Sequence, residues 1–240
     1  MNRERLAVVL VLGGLTLLAV WMMLPRPVDP VLLALGAAVN VLLVIFGLAA
    51  AAPYGKGAPL LTAWTQGRFS LRDVRLLALA FLVGAVVGGL LLVIIVFVLL
   101  PVEPRLAARL AARAANPAWW PFAIAFEASV TEEVTFRLFL LSATVWMLSR
   151  GWKKARPEVS PVSVWIAVIV SALAFALVHL PGWEAVTSAT PLLIASVLAL
   201  NGIAGLVLSQ VYWRFGIEAA IACHYAGDLI VQGLGPRIVT

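Results

Sequence analysis

At 240 residues, with a mean hydropathy of +1.07, 63% hydrophobic residues and 12% charged ones, the chain has far more apolar surface than a soluble core of that length can absorb. Its formal charge of +6 sits mostly in the breaks between apolar runs, which is the pattern of membrane orientation and argues against a nucleic-acid partner. The single cysteine, Cys223, excludes an intrachain disulfide and, inside an apolar run, is expected to be a small packing residue.

In chain order, residues 6–24 form a first apolar run, preceded by Asn2-Arg3-Glu4-Arg5 and closed by Pro25-Arg26-Pro27. It exceeds the roughly 7 to 15 residues of a signal-peptide core and no small-x-small cleavage site follows, so a retained anchor helix is expected. A second span covers 31–52, separated from the first by Pro27 and Pro30. Residues 53–72 carry Gly55, Lys56, Gly57, Gly67 and Arg68 and read as a loop. Ser70-Leu71-Arg72-Asp73 fits a capping box opening a third span over 74–100, which Pro101 ends.

Arg105, Arg109 and Arg113 then recur every four residues beside Leu106 and Leu110. This is a basic helix, either lying on the membrane surface or serving as a solvated connector, with Trp119 and Trp120 anchoring the next membrane entry. A fourth run, 119–148, stops at Arg150-Gly151-Trp152-Lys153-Lys154, and three more cover 161–180, 190–209 and 216–233. The expected architecture is all-α: a polytopic membrane helix bundle with about seven transmembrane helices, forming a single integral membrane domain over 1–240. Residues 1–114 supply the N-terminal spans and the basic helix. With seven crossings, eleven Lys or Arg fall on the N-terminal side against five on the other, which predicts a cytoplasmic N-terminus.

The polar groups inside the fourth run need an explanation. It contains Thr131-Glu132-Glu133-Val134-Thr135-Phe136-Arg137, and each charge at the centre of a membrane helix costs about 2.5 to 3.5 kcal/mol, so three oppose insertion by about 8 to 10 kcal/mol. Glu133 and Arg137 are spaced i, i+4 and share a helix face, as an ion pair requires. Glu132 is rotated by about 100°, which leaves one carboxylate for the pair and one for a reaction. A helix starting at Ser129, with Glu132 closing a capping box, is the bland alternative, and it leaves Glu133 and Arg137 unexplained. Glu127 is placed near the membrane surface with no role, and Glu218 at the interface. The two histidines, His179 and His224, also lie in apolar runs, and Asp228 follows His224 by one turn. One shared polar site inside the bundle accounts for all of these groups.

Glu-Glu-x-x-x-Arg at 132–137, Phe-x-x-x-His at 175–179 and His-x-x-x-Asp at 224–228, on separate apolar runs, resemble the CPBP (CAAX protease and bacteriocin-processing, or Abi) family of intramembrane proteases, which includes the type II CAAX prenyl proteases. The resemblance covers about 115–235 as a catalytic core. It implies a peptide hydrolase acting on a peptide or lipid-anchored protein reached from membrane lipid. Glu132 would be the general base that activates water, helped by His179, while Glu133 and Arg137 hold the geometry. His224 and Asp228 would face the scissile carbonyl. The prenyl proteases usually carry Asn at the last position. An ionised Asp228 accepts hydrogen bonds and cannot donate one to an oxyanion, so it would act protonated or orient His224.

Two histidines and a carboxylate also match a zinc shell, with Glu132, His179 and His224 as candidate ligands. The metal-free mechanism needs the same residue types and is the preferred reading. Two other classes compete. A non-catalytic scaffold or bacteriocin self-immunity protein would use the polar cluster for packing, and an ion or proton carrier would need a file of such groups across the bilayer, which their clustering in three segments does not provide.

Overall fold

In the computed structural model, which describes residues 3–23, 28–150, 159–185 and 187–239, helices begin at caps and prolines and end at glycines and prolines, and no strand occurs among the described residues. The expected boundaries at Pro25-Arg26-Pro27 and Gly151-Trp152-Lys153-Lys154 lie outside them. The first hairpin is α1 (Arg3–Met23) packed on α2 (Pro30–Ala51). Asp29 caps α2 by accepting from the amides of Val31 at 2.7 Å and Leu32 at 3.3 Å, while Pro30 occupies the first turn, where no N–H is needed.

The 53–72 stretch is more ordered than its glycines suggest. A 3₁₀ turn (Ala52–Tyr54) leads to the short helix α3 (Pro59–Thr65). Three contacts hold it: Gln66 donates to Glu4 at 2.7 Å, the Ile217 amide to the Gly57 carbonyl at 2.9 Å, and the Leu61 amide to Glu218 Oε1 at 2.7 Å. Glu218 therefore faces α3. No local pattern signals this, because the contact joins residues 157 positions apart.

Helix α4 (Leu71–Ile94) starts at the expected capping box, with the Ser70 amide donating to Asp73 at 2.8 Å, and continues as a π turn over Ile95–Leu99. The basic helix is α5 (Arg105–Ala114), but its leucines meet neither lipid nor solvent. Leu106 and Leu110 are buried, and Leu106 packs with Leu193 and Val197. Glu103, just before α5, accepts from the Thr190 hydroxyl at 2.5 Å, a bond that holds its carboxyl below the usual range.

The fourth run is one continuous rod. It consists of α6 (Trp120–Glu132), a π-helical stretch over Glu133–Leu141, and α7 (Ser142–Arg150). No helix starts at Ser129; that side chain instead bonds back to the Phe126 carbonyl at 3.1 Å. There follow α8 (Pro161–Val178), the single turn α9 (Leu180–Glu184), α10 (Pro191–Phe215) and α11 (Ile217–Asp228). The last is prolonged by a π segment, Leu229–Leu234, and by α12 (Gly235–Val239). Gly216, at φ +96°, makes the tight corner between α10 and α11.

Five helical stretches among the described residues are long and apolar enough to cross a membrane: Arg3–Met22, Pro30–Tyr54, Leu71–Leu99, Pro161–Trp183 and Pro191–Phe215. The remaining two expected spans, 119–148 and 216–233, are the interrupted rods over 120–150 and 217–239, which carry Glu132, Glu133, Arg137, His224 and Asp228. Helix α4 lies directly on α11. A Cβ at Gly84 would collide with the Cys223 carbonyl, and one at Gly88 would come within 2.6 Å of the Gly227 oxygen. Small residues here let two backbones touch, which drives helix association in lipid where the hydrophobic effect does not. Large apolar side chains such as Leu35, Leu90 and Phe97 point outward, while Glu133 and Arg137 are 0% exposed. This inverts the soluble pattern, as a lipid solvent demands.

Candidate active site

The π stretch begins at Glu133, directly after Glu132, and such wide turns often mark functional positions. Glu133 does what its spacing predicts: Arg137 Nη1 meets its Oε1 at 3.0 Å. The guanidinium also donates to the Gly205 carbonyl of α10 at 3.4 Å and lies 4.2 Å from the Phe175 ring centre. Phe175, on α8, is the hub of an aromatic cluster, with His179 at 4.8 Å and His224 at 5.8 Å between ring centres.

Each imidazole is oriented through Nδ1. In His179 that nitrogen lies 2.7 Å from the Phe175 carbonyl, one turn back, and in His224 it lies 2.8 Å from Glu133 Oε1. Both partners only accept, so Nδ1 carries the proton in each ring and Nε2 is left for chemistry. The two Nε2 atoms converge on Glu132: His179 Nε2 is 4.0 Å from Oε1 and His224 Nε2 is 3.8 Å from Oε2. Asp228 Oδ2 stands 3.9 Å from His224 Nε2. Adjacent carboxylates thus straddle one ring, Glu133 at Nδ1 and Glu132 on the Nε2 side. All six sequence candidates, Glu132, Glu133, Arg137, His179, His224 and Asp228, come together.

Separations of 3.8 to 4.0 Å are too long for direct hydrogen bonds. Glu132, His179, His224 and Asp228 line a cavity of about 380 Å³. The sequence 114–230, which encloses all of these groups, matches the family model described as type II CAAX prenyl endopeptidase, Rce1-like. This segment belongs to the Rce1-like type II CAAX prenyl endopeptidase family. No curated protein and no solved structure matches the chain significantly. The match covers just under half of the 240 residues and leaves α1 to α4 and all but the last residue of α5 outside it.

Further polar residues line the same cavity, among them Arg113 of α5, Glu127 of α6 and Gln232 of the last π segment. Glu127 does not stand apart from the polar site: it lines the cavity, and its Oε1 accepts from Thr131 at 3.1 Å. Gln232 donates to Asp228 at 2.5 Å and its own Oε1 is buried without a partner. The i, i+4 spacing of Asp228 and Gln232 was a usable signal, the same one that pairs His224 with Asp228. Arg113 offered none beyond the basic repeat.

The same groups fit a metal poorly as placed. Zinc bonds of about 2.0 to 2.1 Å set tetrahedral ligand atoms about 3.3 to 3.4 Å apart, which is closer than the pairs found here. Among the described residues, no group of three or more His, Cys, Asp or Glu side chains is arranged to hold a metal ion.

Proposed function

We propose that the protein is an intramembrane endopeptidase that hydrolyses a peptide bond in a lipid-anchored, membrane-associated protein, using water activated by Glu132 without a metal. One observation carries this: Glu132 lies between His179 Nε2 and His224 Nε2, at 4.0 and 3.8 Å, inside a cavity. Water held between Glu132 and His179 gives its proton to the carboxylate, and the hydroxide attacks the scissile carbonyl carbon. The oxyanion accepts a hydrogen bond from His224 Nε2 in its protonated form, with Asp228 and Glu133 flanking the ring to balance its charge. Collapse breaks the C–N bond, and the proton on Glu132 passes to the leaving amine. Asp228 accepts from Gln232 and orients His224; it does not donate to the oxyanion.

Glu133 and Arg137 do not touch substrate. They fix the ring of His224 and the width of the π turn. The experiment is incubation of purified protein in phosphatidylcholine vesicles with a lipidated peptide library, with and without a chelator, beside His179→Ala. Wild-type cleavage that survives chelation and is lost in a properly inserted His179→Ala variant is expected. Abolition by chelator and recovery on adding zinc would overturn the metal-free mechanism.

A further inference from the structure

We infer that Arg113 is a positioning residue: its guanidinium supplies the counter-charge that keeps Asp228 a carboxylate beside His224, as Arg137 does for Glu133 on the other side of the same ring. This deepens the protease reading and rests on it, since Asp228 matters to cleavage only through His224. Leu106, Leu110 and Arg113 follow one another along one stripe of α5. Leu106 packs with Leu193 and Val197 of α10, and Leu110 reaches α12, the end of the rod that carries Asp228, 3.6 Å from where a Cβ on Gly235 would stand. The stripe therefore turns inward. Arg113 continues it to the wall of the cavity that Asp228 also lines, with its guanidinium 5.8 Å from the Trp120 ring centre. Arg105, on the same helix, is exposed and meets Glu103 at 3.5 Å instead.

Asp228 shares its surroundings with Glu127, Glu132 and Glu133, and with His224, whose Nε2 stands 3.9 Å from Asp228 Oδ2. Arg113 is the only Lys or Arg lining this cavity among the described residues, and it interacts with Asp228 across it. Attraction between charges in a low-dielectric site extends beyond contact distance, so no hydrogen bond between the two is needed. Gln232 donates to the same Oδ2 at 2.5 Å and fixes its direction, yet an amide brings no charge. Without Arg113, a buried carboxylate beside three others would be neutralised by a proton. Both sides of His224 thus have the same construction. Glu133 at Nδ1 is backed by Arg137, 3.0 Å away, and Asp228 on the Nε2 side is backed by Arg113.

The test is a double-mutant cycle at matched melting temperature, on one lipidated peptide that the wild type cleaves, in pure phosphatidylcholine vesicles. Arg113→Met should lower kcat about 10-fold with KM unchanged, Arg113→Lys should retain most of the wild-type kcat, and Arg105→Gln should leave both constants intact. In an Asp228→Asn background, where no charge is left to balance, Arg113→Met should lower kcat by less than about 2-fold. Equal losses in the two backgrounds overturn the inference, and so does a loss confined to KM, which would assign Arg113 to substrate binding. A second readout needs no turnover. The chain has three aspartates, Asp29, Asp73 and Asp228, so carboxyl-¹³C labelling with Asp228→Asn as the reference assigns the Asp228 signal. It should report a carboxylate in wild type and in Arg113→Lys, and a carboxylic acid in Arg113→Met. A carboxylate that persists in Arg113→Met, or an acid already present in wild type, overturns the inference. If the wild type cleaves no peptide, the protease reading fails on its own account, and the Asp228 signal still decides whether Arg113 holds that charge.

Discussion

Arg137 is the side chain on which most of the buried polar network depends. It bonds Glu133 and the Gly205 carbonyl and lies over Phe175, so the π stretch, α8 and α10 are joined through one guanidinium. Removing one partner of a fully buried pair leaves the other charge unpaired, at a cost of about 3 to 5 kcal/mol. Arg137→Met should therefore lower stability by that much in detergent unfolding titrations, and Glu133→Gln/Arg137→Met should cost less than Arg137→Met alone. Equal stability of Arg137→Met and wild type would contradict the role. Glu132, Glu133, Arg137, His179, His224 and Asp228 could be picked out beforehand because charge in an apolar run is costly and local spacing shows who shares a face. Glu127 and Arg113 could not. Their significance comes from a cavity built by helices distant in sequence, and nothing within one turn of either points to it.

Helix boundaries were mostly legible, because Pro30, the Ser70–Asp73 box and Pro101 act locally. The π stretches at Glu133–Leu141 and Leu229–Leu234 were not, since widening a turn depends on what packs beside it. Short α3 escaped for a similar reason: its ends are held by Glu4 and by Glu218, far away in the chain. The α4–α11 contact carries His224, one residue from the Gly84 to Cys223 approach, into the site. Gly84→Val would force that backbone apart and should cost at least about 1 to 3 kcal/mol while reducing cleavage. Gly89→Ala, where an added Cβ meets nothing within 4 Å, is the matched control and should be neutral or slightly stabilising. A Gly84→Val variant as stable and active as Gly89→Ala would show that the close approach does not position His224.

The whole bundle has two unlike ends. Contacts from Glu4 to Gln66 and from Gly57 to Ile217 gather the N-terminus, the 53–70 segment and the α10–α11 corner at one end, with Arg3, Arg5, Lys56, Arg68 and Arg214. The cavity is lined from the second half of α4 and from α5 and α9, toward the other end. Basic residues favour the cytoplasmic side, so the N-terminus is expected there, with the cavity nearer the opposite face. Cys223 is buried, so single cysteines can be introduced as reporters. An impermeant thiol reagent applied outside intact cells should label Val102→Cys and spare Arg68→Cys; the reverse pattern would invert the orientation.

At the centre of the proposed chemistry, a carboxylate held between two imidazoles inside lipid takes a proton from water. Replacing Glu132 by Gln keeps the shape and removes the base, and general-base catalysis is worth about 10² to 10⁴-fold. The decisive measurement is the single-turnover cleavage rate of a lipidated peptide in vesicles by wild type and Glu132→Gln at matched melting temperature. A loss of at least about 100-fold is expected; a variant that cleaves at the wild-type rate would contradict the assignment of Glu132 as the base.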